Sequence, residues 1–512
     1  MGICPSCQPG HASAFPKAAL AKSNEKQQRN SEERRRSTER LRTFFFGSQE
    51  VDTKRKPNHS NWSTRKAYRS KFLRGVNFGK KQELSKYGGL KSKKIGQGTG
   101  FFTTALIDNF LSTSRKLEMD ISSSIRKDMH FTRMPLSNYI THHKQNLFGV
   151  CSVRRDADGR EEAFKKVFEG GNDEWAAKSI DLLRSMGFNN IGPWSDDKIL
   201  RKASNPLPYT KMLNIAQDFG KSIGFTKPGS GHVDFKHHCI PVFHPDFEEF
   251  AMKHVKKIVG KLSFDSYCLG FFSDNELPWR RDMLKCYLKL DAKDPNRLVA
   301  LKWMESKGYI EDAREEKTAH LYETDKGVNM EFLQHVANRY FQVCAKAIKK
   351  VAPNHLYLGS RFHGQAKKHT ELLKIAGKYV DVVSINWYDT WDPRTKPEWT
   401  DMWTTAARKP FLITEFYAKG MDTKLPNKSG AGWVVKTQKD RGIFYEHFVL
   451  GLMEHTGCVG FHWFKFMDDW PKNSEKAKML SNKGILDSNF TPYVELARSQ
   501  AELNKEGYSI LE

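Results

Sequence analysis

Two glutamates stand at the ends of short apolar runs, and as a pair they could do chemistry. Glu276 follows the run Tyr267–Ser273 and is preceded by Asn275, and Glu415 lies near the end of the run Pro410–Phe416. Hydrolysis of a glycosidic bond needs two such groups, because one carboxyl protonates the leaving oxygen while the other serves the opposite face of the sugar. A lone glutamate after a strand is more often a solvated loop residue or an ion-pair partner, so the prediction depends on the two together.

Residues that could hold a sugar follow the other apolar runs. Flat aromatic rings pack against the apolar faces of sugars, and polar neighbours can hydrogen-bond the hydroxyl groups. The candidate substrate-binding residues are Asn275, Trp194, Asp196, Arg361, His363, Asn386, Trp387, Tyr388, His462 and Trp463. For each aromatic or histidine in this set, core or rim packing is the alternative role.

Eight short apolar runs, separated by longer amphipathic stretches, predict the strands that position these residues. The predicted strands are Leu147–Val153, Asn189–Trp194, Tyr209–Ile215, Tyr267–Ser273, His355–Arg361, Val380–Trp387, Pro410–Phe416 and Cys458–Phe464. Helical periodicity predicts helices over Asn172–Met186, Pro245–Leu262, Val328–Ala352, Gln438–His455 and Tyr493–Lys505. Eight strand-helix units predict an α/β fold of the (β/α)8 TIM-barrel type, with chemistry at the C-terminal ends of the strands. An open doubly wound sheet is the alternative, but residues 151–155 lack its Gly-rich first turn.

The N-terminal part of the chain differs from the rest in charge. Of the net charge of +25, residues 1–150 carry +18 by count, and the remaining 362 residues carry only +7. We therefore expect a basic, largely disordered leader over 1–83, an atypical remnant of a β region over 84–146, and a catalytic domain over 147–512. A nucleic-acid-binding arm is the alternative for the leader, but no helix or aromatic platform organises its charge, so no nucleic-acid partner is expected.

Five short motifs in the C-terminal part resemble those of the β-agarases of glycoside hydrolase family 50. The motifs are Ile191-Gly-Pro-Trp-Ser-Asp196, Phe272-Ser-Asp-Asn-Glu-Leu277, Gly359-Ser-Arg-Phe362, Ile413-Thr-Glu-Phe416 and Gly460-Phe-His-Trp-Phe464. The resemblance covers about residues 147–512. Leu84–Gly89 and Thr99–Phe102 also look like that family, whereas residues from about 105 to 146 do not, as if its N-terminal β-sandwich were truncated or replaced.

The resemblance implies a retaining mechanism on a (β/α)8 barrel. Glu276 would be the acid/base, with Asn275 beside it, and Glu415 would be the nucleophile. The expected substrate is agarose, cut at its β-1,4-galactosidic linkages, and this chemistry needs no cofactor and no metal. The expected separation of the two carboxyl groups in a retaining enzyme is about 5–5.5 Å.

Other functions stay open at this point. A related β-galactosidase or porphyran-type hydrolase would keep both glutamates, and a non-catalytic polysaccharide-binding remnant would explain the atypical leader. A polysaccharide substrate implies an extracellular or periplasmic location, yet no signal peptide is visible. No apolar run of about 18 residues occurs, so no membrane span is expected, and the oligomeric state stays open. Six scattered cysteines from Cys151 to Cys458 predict buried thiols rather than a disulfide framework.

Overall fold

A curled parallel sheet organises the part of the chain that the structure describes. The computed structural model describes residues 147–156, 160–228, 233–471 and 473–511, so the predictions for 1–83 and 84–146 lie outside the described residues. The strands of the sheet are β1 Leu147–Val150, β2 Asn190–Ile191, β3 Tyr209–Met212, β4 Cys268–Phe272, β5 Leu356–Tyr357, β6 Val383–Asn386, β7 Phe411–Phe416 and β8 Cys458–Trp463. Their order is β6-β7-β8-β1-β2-β3-β4-β5, and every neighbouring pair is parallel.

All eight predicted strands are present, each within its predicted run and most of them shorter. Most strand residues are buried, which explains why the strands read as continuous apolar runs rather than as alternating patterns. Except for the connection from β5 to β6, which are the two outermost strands, each connection carries the chain to the adjacent position in the sheet. The α/β class is confirmed, with a sheet that forms at least a parallel half-barrel.

The two outermost strands of this sheet are linked beyond their regular ends. After β5, Gly359 adopts a left-handed conformation with φ of +70°, and the chain continues as Ser360–Arg361 beside Asp274–Asn275. Phe362 then forms an isolated parallel bridge with Ile385 of β6. The amide of Phe362 donates to the carbonyl of Ser384 at 2.8 Å, and the amide of Asn386 donates to the carbonyl of Phe362 at 2.9 Å.

Helices fill the connections between strands. Within the described ranges they are α1 Glu161–Val167, α2 Gly171–Ser185, α3 Asp197–Leu200, α4 Ile215–Ser222, α5 Phe247–Val259, α6 Met283–Leu288, α7 Pro295–Ser306, α8 Glu316–His320, α9 Lys326–Val351, α10 Thr370–Gly377, α11 Pro397–Ala407, α12 Gln438–Met453, α13 Ser474–Ala477 and α14 Val494–Leu511. The five predicted helices correspond to α2, α5, α9, α12 and α14. The long helix α9 begins after Asp325, whose side chain accepts a hydrogen bond from the amide of Val328 at 2.8 Å.

Short strand pairs occur in the loops outside the main sheet. Thr226–Pro228 pairs antiparallel with Val233–Phe235, and Ala418–Gly420 pairs parallel with Trp433–Val435. The second pair follows β7 directly and therefore shapes the loop beyond Glu415.

Aromatic side chains join the sheet to its outer helices. Phe416 of β7 stacks on Phe448 of α12 with ring centroids 4.4 Å apart. The six cysteines of the described residues are free and buried, as predicted. Among the described residues, no helix is both long and apolar enough to cross a bilayer.

Candidate active site

Glu415, at the end of β7, is held by two donors. The residue is 7 % exposed. The Arg361 guanidinium contacts Glu415 Oε1 at 2.6 Å, and the Tyr388 hydroxyl donates to Glu415 Oε2. Burial raises the pKa of Glu415 above its ordinary value, and the charge of Glu276 adds to that rise, whereas Arg361 and Tyr388 oppose it. The two donors therefore favour the ionised carboxylate inside a site that would otherwise keep it protonated.

Glu276, after β4, has a different set of partners. Asn386 Nδ2 donates to Glu276 Oε1 at 2.6 Å, and His363 Nδ1 lies 3.9 Å from Glu276 Oε2. The backbone of Glu276 is left-handed, with φ of +48°, and its amide donates to the carbonyl of Arg361 at 3.1 Å. This conformation is unusual for a residue with a β-carbon, and it persists only where neighbouring contacts hold it.

Two buried side chains connect the surroundings of the two glutamates. Arg361, which pairs with Glu415, also donates from Nη1 to Asn275 Oδ1 at 3.1 Å. Asn386, which donates to Glu276, accepts at its Oδ1 from the Thr414 hydroxyl at 2.7 Å. The partner of each glutamate thus also contacts the residue that precedes the other glutamate. Arg361, the partner of Glu415, contacts Asn275, and Asn386, the partner of Glu276, contacts Thr414. The predicted pair of carboxyl groups belongs to one hydrogen-bonded network.

A second network fixes the β4 end from behind. Asp274 is fully buried and accepts from the backbone amides of Ala216 and Gln217 at 3.0 and 3.1 Å, which lie at the start of α4. The Tyr340 hydroxyl, on α9, also donates to Asp274 Oδ2 at 2.7 Å. Burial raises the pKa of Asp274 to about 7, against the opposing effect of these donors. Asp274 therefore joins the segment that carries Glu276 to two helices.

Four of the predicted binding residues lie directly around the glutamates. They are Asn275, Arg361, Asn386 and Tyr388, and all four are joined to a glutamate or to each other by the contacts above. His363 is half-buried and packs edge to face against Tyr388, with ring centroids 5.8 Å apart. Of the predicted set, it is the histidine that the structure brings to Glu276.

Two predicted residues lie on the loop after β2. Trp194 is half-buried and has a left-handed backbone, with φ of +68°. Asp196 accepts from the backbone amide of Arg155 at 3.0 Å, and its carboxylate also lies 3.4 Å from the Arg155 guanidinium. Asp196 therefore ties the loop after β2 to the loop after β1.

Three predicted sugar contacts lie in the core instead. Trp387 is fully buried against Trp403 and Phe448, at centroid distances of 4.8 and 5.6 Å, so its ring has no free face for a sugar. Trp463 is equally buried, and its indole N–H donates to the carbonyl of Lys483 at 3.1 Å. Both side chains point from the sheet towards the helical layer, which sequence position alone does not reveal.

His462 is the third of these. It is fully buried, and its Nε2 contacts Asn190 Oδ1 at 2.8 Å. Burial and, to a smaller extent, the nearby charge of Arg361 lower the pKa of His462 to about 3. The imidazole is therefore neutral, and its contact is with a protein side chain.

The sequence reasoning missed three residues near Glu415. Thr414 braces Asn386, Tyr417 packs edge to face on Tyr388 with centroids 5.0 Å apart, and the ammonium of Lys483 lies 5.4 Å from the Tyr417 ring centre. Thr414 and Tyr417 flank Glu415 in the chain, so their place in the motif was a usable signal. Lys483 lies far along the chain in a polar loop, and nothing in its local sequence distinguishes it.

Within the described ranges, no three His, Cys, Asp or Glu side chains converge as a metal site would require. A buried arginine beside one carboxylate and an amide beside the other are arranged for proton transfer and for charge stabilisation.

Comparison with solved structures identifies the family of this chain. The solved structure of BpGH50 is 32 % identical to this chain, with a TM-score of 0.61, and the match covers 72 % of this chain and 78 % of that one. The chain belongs to glycoside hydrolase family 50. A solved exo-β-agarase also matches in fold, with a TM-score of 0.54 at 24 % identity, over 66 % of this chain and 48 % of that one.

Two curated relatives carry the family's activity in their names. β-Agarase B of Vibrio sp. (strain JT0107) is 26 % identical over 469 residues, and β-agarase A of the same strain is 25 % identical over 459 residues. The matches cover 81 % and 80 % of this chain but only 47 % and 44 % of the relatives. The chain thus spans about half the length of the curated relatives it matches. No family model matches the chain.

Proposed function

We propose that this chain is a retaining glycoside hydrolase that cuts the β-1,4-galactosidic linkages of agarose. The observation that carries the proposal is the unequal partnering of its two carboxyl groups. Glu415 contacts a buried arginine and a tyrosine hydroxyl, whereas Glu276 contacts an amide and lies near a half-buried histidine. The names of the curated relatives supply the substrate class.

The roles of the glutamates follow from these partners. Glu415, ionised, attacks the anomeric carbon, and its bond to that carbon forms as the glycosidic bond breaks. Glu276, protonated, gives its proton to the departing glycosidic oxygen. In the second step Glu276 takes a proton from water, the water oxygen bonds to the anomeric carbon, and Glu415 leaves as a carboxylate.

Arg361 and Asn386 are the positioning residues of this mechanism. The Arg361 guanidinium opposes the rise that burial causes in the pKa of Glu415, so that the nucleophile is charged at a lower pH than it would otherwise be. Asn386 fixes one oxygen of Glu276, and Asn275, which both residues contact, is placed to bond the sugar beside the reacting carbon.

The same proposal includes the complete architecture. The bridge between Phe362 and Ile385, with its two flanking hydrogen bonds, supports closure of the curled sheet into a (β/α)8 barrel. Residues 147–512 would then be the catalytic domain, preceded by a leader over 1–83 and a divergent β region over 84–146. Trp194 and His363 would line its substrate cleft. A polymeric substrate would place the enzyme in the periplasm or outside the cell.

Product analysis from agarose tests the function. Purified protein should release neoagaro-oligosaccharides, and Glu415→Gln should abolish their release while leaving the folded structure intact. Glu305→Gln, a matched change at an exposed position on α7, should keep the parent rate. Retention of the parent rate by Glu415→Gln would refute the assignment. Binding to agarose without soluble product would indicate a polysaccharide-binding protein instead, and activity on aryl β-galactosides alone would indicate a β-galactosidase.

A further inference from the structure

An amino group without an ion-pair partner lies beside the proposed nucleophile. Lys483 is half-buried, and its Nζ lies 5.4 Å from the centre of the Tyr417 ring. Tyr417 packs on Tyr388, the residue whose hydroxyl donates to Glu415. Among the described residues, no carboxylate lies within ion-pair distance of the Lys483 ammonium.

The backbone of Lys483 is fixed on both sides. Its carbonyl accepts from the Trp463 indole and from the amide of Lys465, both at 3.1 Å. Its amide donates to Asp468 Oδ1 at 2.7 Å. The side chain therefore leaves a backbone segment that is hydrogen-bonded to β8 and to the loop after it.

The charged groups around Lys483 are already engaged elsewhere. Lys465 pairs with Asp469. Asp468 accepts four hydrogen bonds, from the amides of Lys483 and Gly484, the Asn482 side chain and the Tyr493 hydroxyl. Glu415 is paired with Arg361. Each neighbouring carboxylate thus has its own donors, and within the described residues none of them forms an ion pair with Lys483.

A third lysine adds positive charge to the same place. Lys419 is buried and donates to the carbonyls of Ser429 and Gly430 at 3.1 and 2.9 Å. Burial and, to a smaller extent, the charge of Lys483 lower its pKa to about 8. Burial likewise lowers the pKa of Lys483, and the charge of Lys465 acts in the same direction. The charges of Asp469, Glu415 and Asp468 oppose the change. Ammonium groups that crowd one another away from water are stabilised by an added anion.

We propose that Lys483, on the face of Tyr417, forms a subsite for an anionic substituent of the galactan chain, a sulfate ester on a sugar close to the cleaved bond. This inference rests on the proposed function, because it assigns a substrate feature to the same cleft. An ammonium is a strong donor to sulfate oxygens and pairs with them as a point charge. A neutral galactan would leave the Lys483 charge without a partner.

The experiment compares a sulfated galactan with neutral agarose. The parent enzyme, Lys483→Gln, Lys483→Arg and the matched surface control Lys257→Gln are assayed for kcat/KM on porphyran and on agarose. Lys483→Gln should lose at least tenfold on porphyran and less than about threefold on agarose, since a hydrogen bond to a charged group contributes more than one between neutral groups. Lys483→Arg should restore part of the porphyran activity, and Lys257→Gln should match the parent.

The outcomes separate this inference from the proposed function. Cleavage of agarose but not of porphyran by the parent enzyme would overturn the anionic subsite and leave the glycosidase proposal intact. Equal losses by Lys483→Gln on both substrates would also overturn it, because they would indicate a general structural role. A folded parent enzyme that cleaves neither galactan would refute the proposed function itself.

Discussion

The ends of β4 and β7 each present a glutamate, but the two surroundings differ in chemistry. Glu415 at β7 meets a guanidinium that is always charged, and this partner favours the carboxylate form. Glu276 at β4 meets the amide of Asn386, a neutral donor. Strand position makes the two residues look equivalent, whereas their partners favour the proposed roles of nucleophile for Glu415 and acid for Glu276.

The largest expected effect distinguishes the proposed nucleophile from the proposed acid by comparing two substrates with different leaving groups. Glu415→Gln should cost roughly 10⁴-fold in kcat on agarose and on an activated aryl β-galactoside, because both substrates need the nucleophile. Glu276→Gln should cost about as much on agarose but far less in the first step on the aryl substrate, whose leaving group departs without a proton. Steady-state and burst kinetics on both substrates measure the difference.

The exposed control Glu305→Gln should behave as the parent in both assays. If Glu276→Gln and Glu415→Gln lose the same factor on the aryl substrate, the division of roles drawn from their partners is wrong.

The next effect tests the charged partner of Glu415. Arg361→Met removes the ion-pair partner of the buried Glu415, so the free energy of unfolding should fall by about 3–5 kcal/mol. Arg361 opposes the raised pKa of Glu415, so its removal should raise that pKa further and move the acidic limb of the kcat/KM profile to higher pH. Activity needs ionised Glu415 and is therefore lost first at the acid side.

Chemical denaturation and a pH–rate profile measure the two effects of Arg361→Met. Arg339→Met is the matched control, because Arg339 pairs with Glu248 at 3.0 Å on the half-exposed outer helices. An acidic limb that stays in place in Arg361→Met would contradict the electrostatic role.

A smaller effect is expected from the neutral partner of Glu415. Tyr388→Phe removes the hydroxyl that donates to Glu415 Oε2 and keeps the ring that packs on Tyr417. A hydrogen bond to a charged group is worth about 1.5–3 kcal/mol, which predicts a fall of roughly 10- to 100-fold in kcat/KM. Tyr379→Phe, at an outer tyrosine that donates to Asn338, is the control. An unchanged rate in Tyr388→Phe would show that Arg361 alone orients the carboxylate.

The smallest effect concerns stability at the β4 end. Burial raises the pKa of Asp274 to about 7 in the folded protein, from an ordinary value of 3.8. Between pH 3.8 and about pH 7, the carboxyl group of Asp274 is therefore protonated in the folded state and ionised in the unfolded chain. This contribution to stability is complete below the ordinary pKa and is lost as the pH rises through about 7. Asp274→Asn cannot ionise, so it should show a smaller fall in melting temperature between about pH 5 and about pH 8 than the parent.

Asp181→Asn, an exposed change on α2, should keep the parent's pH dependence. If Asp274→Asn also keeps it, then Asp274 is charged in the folded protein, and its donors outweigh the burial. Glu446, whose pKa burial also raises to about 7, accounts for a separate part of the same dependence.

The strands and the two glutamate motifs were predictable because both are local. A parallel strand buried on both faces is a continuous apolar run, and all eight such runs became strands. Glu276 and Glu415 stand at the ends of two of them, so the parallel order places both at the same edge of the sheet, and the curl of the sheet brings them together.

Side-chain direction was not predictable, because the ends of strands are irregular. The register between β6 and β7 shifts after Ile385, and the register between β7 and β8 shifts twice. A shift of one residue exchanges the two faces of a strand. Trp387 and Trp463 turned to the helical layer, while Tyr388, the next residue after Trp387, reached Glu415.

Long-range contacts formed the other unpredictable part. Lys483 reaches Tyr417 through the loop after β8, and Asp274 reaches the start of α4. Neither contact has a periodic pattern, since each joins single residues far apart in the chain.

The left-handed backbone of Glu276 sets activity and stability against each other at one position. A glycine adopts a φ of +48° without steric penalty, so the backbone at this position would be less strained without the side chain of Glu276, the proposed acid. Glu276→Gly would remove the proposed acid and the backbone strain together, so the melting temperature of this variant could exceed that of the parent. Selection for thermal stability alone would favour substitution of Glu276. A search for more stable variants of this chain therefore has to screen for activity at the same time.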